Sequence, residues 1–270
     1  MFDSFRMPAR AMGVAAVVSA LSVPAFAGPV LLVNGSSGTS EPSTTSSITT
    51  QLTNLHVAAG NTVTVEDMVP ADLSPYEEVW DIRFSDSLAI SAAEESQFLN
   101  YLQDGNGLFV MGENSNFMAR NNSVLSLIEA AGGGDLDFEV PVDPQSVVPP
   151  FDVPNPVASV DFVAPGGVDG AGSGQFITEN GGEGTGLAFG VGDLSNAPAG
   201  ALTTIFDVNF METTASQAQQ DLTANLIGFV DDQVNPDPEP DPDPVPGPAP
   251  LSMLGLGVAA FAVARRRPRR

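Results

Sequence analysis

The 270-residue chain contains no cysteine, no lysine and a single histidine, His56. Without cysteine, disulfides, thiol nucleophiles, thiolate zinc sites and iron–sulfur clusters are excluded. One histidine cannot build a multi-histidine metal centre. His56 lies beside an apolar stripe at helical spacing, so we predict that it is packed in the core or at its rim and is not catalytic.

Positive charge is nearly absent from the middle of the chain. Seven of the nine arginines lie at the two ends, and residues 28–264 keep only Arg83 and Arg120 against 32 of the 33 acidic residues. The resulting net charge of about −30 repels nucleic acid and anionic lipid, so nucleic-acid binding is excluded. The partners that this charge favours are divalent cations, basic polymers, a surface polysaccharide or the salt of a saline habitat.

Residues 1–27 have the pattern of a secretory signal peptide. Arg6 and Arg10 precede an uncharged apolar stretch at 12–23, and Ala25 and Ala27 form a small-x-small cleavage box. This stretch is too short to span a bilayer comfortably. We predict cleavage after Ala27, so that the exported chain begins at Gly28, and an uncleaved anchor helix is the alternative.

The chain ends in a proline box, a short apolar segment and a cluster of arginines. Residues 231–244 alternate proline with acids, which favours an extended, self-repelling linker. The box consists of Val245, Pro246, Gly247 and Pro248. Residues 251–264 are uncharged and would form a helix of about 21 Å, against a hydrocarbon core of about 30 Å. The stop-transfer arginines, which the positive-inside rule would keep cytoplasmic, are Arg265, Arg266, Arg267, Arg269 and Arg270.

This order of parts resembles the PEP-CTERM sorting signal of Gram-negative bacteria. Val245, Pro246 and Pro248 match its Val-Pro-Glu-Pro box, and Gly247 stands in place of the glutamate. The resemblance implies passage through the secretion translocon, a transient inner-membrane anchor, and cutting by exosortase, a membrane protease that releases proteins to the surface or matrix. It covers residues 245–270 only and concerns location, not activity. An ordinary tail anchor is the alternative.

Residues 28–230 predict one α/β domain with a parallel sheet, because apolar strands alternate with amphipathic helices. Ser91 and Glu94 form a capping box at the start of one of the helices. Residues 135–200 are rich in proline and glycine and predict an antiparallel, β-rich insertion at one edge of the sheet. The main strands are predicted at residues 30–33, 62–67, 79–82, 108–111 and 201–210, and the helices at 48–59, from 91 to 104, before 132 and at 216–230.

The order of residues 30–35, 91–114 and 200–210 resembles the class I glutamine-amidotransferase-like branch of flavodoxin-like folds. The suggestive stretches are DGNGLFVMGEN and GALTTIFDVNF. The resemblance implies a three-layer domain with a catalytic cysteine on the turn after strand 108–111, followed later by a histidine and a glutamate. Here that turn carries Glu113, Asn114 and Ser115, and no histidine follows it. We therefore predict the fold without the enzymatic activity.

Polar residues follow four of the predicted parallel strands. Ligands of open α/β sheets bind at the carboxyl ends of the strands, so we expect these side chains to converge. An ion-pair network, in which Arg83 neutralises one of the carboxylates, is the preferred hypothesis, without metal or cofactor. A Ca²⁺ site of an adhesive module and an acid–base pair of a hydrolase are the alternatives. The residues are Asn34, Asp81, Arg83, Glu113, Asn114, Asp207 and Asn209, with Glu113 and Asp207 as the candidate acid and base.

Overall fold

The computed structural model describes residues 28–236. The predicted signal peptide, most of the acidic linker, the proline box and the arginine cluster lie outside the described residues. Within residues 28–236, no helix combines the length and the apolar character that crossing a membrane requires.

Five strands form the parallel half of the sheet, in the order β2-β1-β3-β4-β11. Strands β3, β4 and β11 are buried along their whole length, as expected for parallel strands that are covered on both faces. Strand β2 lies at the edge and is half-exposed. The bounds are Pro29–Val33 for β1, Thr62–Glu66 for β2, Glu78–Asp81 for β3, Gly107–Met111 for β4 and Ala201–Ile205 for β11.

Helices cover both faces of the parallel strands. Alternate strand residues point to opposite faces, so Leu32 and Trp80 belong to one apolar cluster with α1 and α4, whereas Leu31 and Val79 belong to another with α2 and α3. The Ser91 hydroxyl accepts the backbone N–H of Glu94 and starts α2, as the sequence predicts. The helices are α1 Pro42–Ala59, α2 Ala92–Gln103, α3 Met118–Ala131 and α4 Gln217–Val234.

Six further strands extend the sheet in antiparallel fashion. Strand β10 pairs with β11, and β9, β6 and β7 follow outward from it, while β8 pairs with β10 and β5. Their bounds are Phe138–Glu139 for β5, Gln145–Val147 for β6, Ser159–Val160 for β7, Gly167–Asp169 for β8, Gln175–Asn180 for β9 and Glu183–Phe189 for β10.

The α/β class is confirmed, but the expectation of a predominantly parallel sheet is wrong. The sheet is mixed, and most of its strand pairs are antiparallel. Residues 135–200 form antiparallel strands on one side of the parallel strands, where β10 is buried along nearly its whole length and continues the sheet directly from β11. The connection between β2 and β3 contains no helix, in agreement with the predicted order of elements.

Candidate functional site

The seven predicted polar residues lie at or just after the carboxyl ends of β1, β3, β4 and β11. They do not form one site. Their hydrogen bonds divide them into an ion-paired group around Asp81, a pair of carboxyl groups from Glu113 and Asp207, and three asparagines that bond within their own turns or to a neighbouring helix.

Asp81, the last residue of β3, is completely buried and holds Arg83 in a bidentate ion pair. Arg83 Nε donates to Asp81 Oδ1 at 2.7 Å, and Arg83 Nη2 donates to Asp81 Oδ2 at 2.8 Å. The remaining nitrogen, Nη1, donates to Glu94 Oε1 at 2.7 Å. Parallel hydrogen bonds of this kind are among the strongest charge-assisted contacts in proteins.

A second buried arginine, Arg120 of α3, approaches the same carboxylate. Its Nη1 lies 3.3 Å from Asp81 Oδ2, and its Nε donates to the carbonyl oxygen of Met111 at 2.8 Å. Nη1 also donates to the carbonyl oxygen of Leu88 at 3.1 Å. Arg120 therefore ties the ends of β3 and β4 to the start of α3. We call the group of Asp81, Arg83, Glu94 and Arg120 the Asp81 cluster.

Electrostatics favour the charged form of Asp81. Burial alone would raise the pKa of Asp81, but the charges of Arg120 and Arg83 and the hydrogen bonds from Arg83 outweigh burial and lower it. Burial lowers the pKa of Arg120 despite the attraction of Asp81. A guanidinium nevertheless stays protonated in proteins, so the cluster keeps both positive charges.

Glu113 and Asp207, which we call the carboxyl pair, are buried and form no ion pair with an arginine of residues 28–236. Glu113 Oε2 accepts the backbone N–H of Val208 at 2.6 Å, and Asp207 Oδ2 accepts that of Val163 at 2.7 Å. Their other oxygens accept hydrogen bonds from the Asn114 side chain and from the backbone of the residue two positions after Asp207. Within residues 28–236, every ion pair involves Asp81 or Arg83, and none reaches the carboxyl pair.

The carboxyl pair is harder to ionise than exposed acids. Burial raises the pKa of Glu113 to about 7, the Val208 N–H opposes this rise, and the charge of Asp207 adds to it. Burial likewise raises the pKa of Asp207 to about 6, against hydrogen bonds from backbone N–H groups that stabilise the charged form. At neutral pH Glu113 is therefore near its titration midpoint, whereas Asp207 is mostly ionised.

The three asparagines serve local structure. Asn34 Oδ1 accepts the backbone N–H of Ser36 at 3.1 Å and Asn34 Nδ2 donates to Thr49, so this side chain links the turn after β1 to α1. Asn114 Oδ1 accepts a backbone N–H two residues later, which closes a turn after β4. Asn209 Nδ2 donates to the side chain of Glu212 at 2.8 Å.

Sequence reasoning missed Arg120 and Glu94 as members of the Asp81 cluster. The sequence predicts a role for Glu94 only in the capping box, but its two carboxylate oxygens have separate partners. Oε2 accepts the Ser91 N–H, and Oε1 accepts a hydrogen bond from Arg83. A signal for Arg120 was present, because a domain with only two arginines and a large excess of acids is expected to pair both of them internally.

Other features of residues 28–236 concern metal binding, a cavity and the single histidine. Within residues 28–236, no group of three or more histidine, aspartate and glutamate side chains is arranged to hold a metal ion. A cavity of about 580 Å³ lies beside α4 and the segment 150–154, away from the carboxyl pair. His56 is fully buried edge-on against Trp80, with ring centroids 4.8 Å apart, and burial lowers the pKa of His56 to about 3.

No protein-family model and no curated protein matches the sequence. Among solved structures, the N-terminal domain of mmIFT52 superposes with a TM-score of 0.56 at 10% identity, covering 75% of this chain and 96% of that one. At that identity the likeness supports the α/β fold alone.

Two further solved structures are similar at TM-scores below 0.5, which is too weak a likeness to support a fold or a function. The exo-β-1,4-mannosidase Op5Man5 from Opitutaceae bacterium strain TAV5 gives 0.47 at 13% identity, covering 74% of this chain and 35% of that one. The cytoplasmic protein STM3548 from Salmonella typhimurium gives 0.49 at 13% identity, covering 75% of this chain and 98% of that one.

Proposed function

We propose that this chain is an exported, acidic cell-surface or extracellular-matrix protein whose domain is a structural or binding module and not an enzyme. The observation that supports a non-enzymatic domain is the way in which the carboxylates at the strand ends are hydrogen-bonded. Every carboxyl oxygen of Asp81, Glu113 and Asp207 already accepts a hydrogen bond from the protein itself. Buried acids that are satisfied in this way stabilise the fold and leave no unsatisfied oxygen for substrate or metal.

The domain is best described as a three-layer, glutamine-amidotransferase-like domain without the catalytic residues. Two helices pack on each face of the parallel strands, which supports this assignment. At the turn that holds the nucleophile in catalytic members, Glu113 bonds to the Val208 N–H. The single histidine, His56, is packed against Trp80 and contacts the side chain of Asn61 through Nδ1. A nucleophile activated by a base is therefore missing.

Export rests on the sequence. The leader with its box at Ala25 and Ala27, the proline box at 245–248 and the terminal arginines are each typical of a secreted and sorted chain. The implied partners are the secretion translocon and an exosortase-type protease. Mass spectrometry of surface and cytosolic fractions from the native host tests this. We expect a surface form that begins at Gly28 and lacks the arginine cluster, and an intact chain in the cytosol would contradict it.

Thermal unfolding with and without Ca²⁺ tests the structural role of the carboxyl pair. We expect Asp207→Asn to unfold at a lower temperature to the same extent in both conditions, because an amide group would face a backbone N–H and leave it without an acceptor. Asp169→Asn, an exposed acid on β8, is the matched control and should unfold like the original chain. A rise in unfolding temperature with Ca²⁺ that Asp207→Asn abolishes would instead support the calcium-dependent adhesive module.

A carboxylate-based hydrolase is the second candidate, because the pKa values of the carboxyl pair are raised, as an acid–base pair requires. The burial of both groups argues against this candidate, because a substrate must reach the carboxyl oxygens, and Glu113 is 2% exposed and Asp207 is completely buried. Screening the secreted protein against host-surface polysaccharides decides between the two. Cleavage that is lost in Glu113→Gln and kept in the exposed control Glu139→Gln would overturn the non-enzymatic role.

A further inference from the structure

Gly28, the first residue of the described chain, is held in a defined polar position. Its backbone nitrogen donates to Asn61 Oδ1 at 3.2 Å, and its carbonyl oxygen accepts the N–H of Thr62 at 3.0 Å. Asn61 is itself buried, and its Nδ2 lies 3.3 Å from His56 Nδ1. The nitrogen of Gly28 is therefore fixed before β1 begins.

The side chain of Glu77 lies directly beside this position. A Cβ atom on Gly28 would overlap Oε2 of Glu77 and would lie 3.4 Å from Glu77 Cδ, so the Gly28 backbone is in close contact with that carboxyl group. Asn235 Nδ2 bridges Glu77 Oε2 at 3.0 Å and Asp231 Oδ1 at 3.2 Å. Glu78, the next residue along the chain after Glu77, is buried. We call Glu77, Glu78 and Asp231 the acidic corner.

The acidic corner has no cation in the part of the chain described. All ion pairs of residues 28–236 belong to the Asp81 cluster. Burial raises the pKa of Glu78 to about 8, the hydrogen bond from Trp80 opposes this, and the charges of Asp231 and Glu77 add to the rise. A positive charge placed beside Glu77 would relieve this repulsion.

We propose that removal of the leader supplies that cation, and that the new α-ammonium group of Gly28 docks between Asn61 and Glu77 as a processing-dependent site. The inference rests on the proposed export and on cleavage after Ala27. Hydrolysis of the bond between Ala27 and Gly28 consumes one water, leaves a carboxylate on Ala27, and gives Gly28 an amine that takes up a proton. One amide N–H is thereby replaced by three charged donors, which can serve Asn61 Oδ1 and Glu77 Oε2 together.

The surroundings favour the protonated amine. The titratable groups that face this corner are His56 from α1, Glu77 just before β3, Glu78 from β3, Tyr101 from α2, and Asp231 from α4. Burial keeps His56 neutral, and the other groups are acids, so no fixed positive charge opposes the ammonium group. Cleavage would therefore stabilise the folded domain only after it has left the cytoplasm.

The absence of lysine makes the experiment unusually direct. In a chain of residues 28–270, kept in detergent micelles, the Gly28 amine is the sole primary amine. Trace acetylation with acetic anhydride across a pH series measures its reactivity and its pKa. We expect acetylation to be at least roughly tenfold slower than in the urea-unfolded chain, with the pKa about one unit above the ordinary 7.7–8.0 of an α-amine.

Three variants separate docking from general burial. Glu77→Gln should return the pKa of the amine toward its ordinary value, whereas Glu66→Gln, an exposed acid at the other end of β2, should leave it raised. A chain that begins at Ala27 displaces the amine by one residue and should react like the unfolded chain while circular dichroism shows it folded.

The outcomes distinguish this inference from the proposed export. An intact chain in the cytosol, with its leader uncleaved, overturns both. An exported chain that begins at a residue other than Gly28 overturns the docking site and leaves export standing. A native chain that begins at Gly28, with an amine of ordinary pKa that reacts as fast as in the unfolded chain, overturns the docking site and leaves export standing. Equal reactivity of the Gly28 and Ala27 chains would also overturn the docking site.

Discussion

The Asp81 cluster and the carboxyl pair lie at the same edge of the sheet but accommodate buried carboxylates in opposite ways. Asp81 is matched by two arginines, and the pKa of Asp81 falls below its ordinary value. Glu113 and Asp207 are matched by neutral donors, which are backbone N–H groups and the Asn114 side chain, and their pKa values rise. The carboxylate of Asp81 is therefore permanently charged, whereas the carboxyl pair titrates between about pH 6 and 7.

The difference shows how a domain with very few cations can bury several acids. Both arginines of residues 28–236 are concentrated on one aspartate, where they also bind carbonyl oxygens and a second acid. The other acids at the strand ends must rely on turn amides and on partial protonation. Net stability of a buried ion pair is small, but breaking such a pair is expensive because the remaining charge is left buried.

The largest expected effect comes from Asp81→Asn. It leaves Arg83 and Arg120 buried with only Glu94 as a charged partner, so we expect the free energy of unfolding to fall by about 3–5 kcal/mol. Urea denaturation measures this change, with Asp169→Asn as the exposed control. A loss below about 1 kcal/mol, the size of an exposed pair, would remove the distinction between the two regions.

Arg120→Lys should have an intermediate effect. A lysine keeps the positive charge near Asp81 but lacks the planar fork that also binds the carbonyl oxygens of Met111 and Leu88. Leaving a buried carbonyl without a donor costs about 1–3 kcal/mol, which we expect to measure by urea denaturation. Stability equal to the original chain would mean that charge alone, and not geometry, maintains the cluster.

The smallest expected effect is a difference in pH dependence between the regions. The pKa of folded Glu113 is raised to about 7, so its contribution to stability is present at acidic pH and is lost as pH rises through 7. Glu113→Gln should therefore flatten the fall in unfolding free energy between pH 6 and 8 by about 1 kcal/mol. Asp81 behaves oppositely, because its lowered pKa makes its contribution disappear only in acid.

Measuring Glu139→Gln in parallel controls for the loss of one acid anywhere on the surface. That residue is exposed on β5, and its variant should keep the original slope between pH 6 and 8. If Glu113→Gln and Glu139→Gln gave the same profile, Glu113 would titrate like an exposed acid and the proposed contrast would fail.

The parallel half of the fold was predictable because its signals are local. The apolar runs of β1 and β4 and the capping box at Ser91 each identify an element without reference to distant residues. The same locality explains why Arg83 could be assigned to a nearby acid, since Asp81 lies two residues before it in the sequence.

The antiparallel half is harder to predict in detail because its strands contain glycine, which is uncommon in strands. Gly186 lies within the buried strand β10, and a Cβ there would lie 2.7 Å from Ile205 Cδ1 and 2.9 Å from Ile177 Cβ. Close packing, not a turn, therefore requires this glycine. Arg120 was missed for a related reason, because its contact with Asp81 joins residues 39 positions apart and leaves no local pattern.

Hydrogen exchange of the Val208 and Val163 amides measures most directly whether the carboxyl pair is permanently occupied by the backbone. If Glu113 and Asp207 are structural acceptors, both amides should exchange as slowly as those of the buried strand β4, and the Val163 amide should speed up in Asp207→Asn. Exchange as fast as that of the exposed turn at Gly181, unchanged by the substitution, would contradict this and return the two carboxyls to the candidates for a binding or catalytic site.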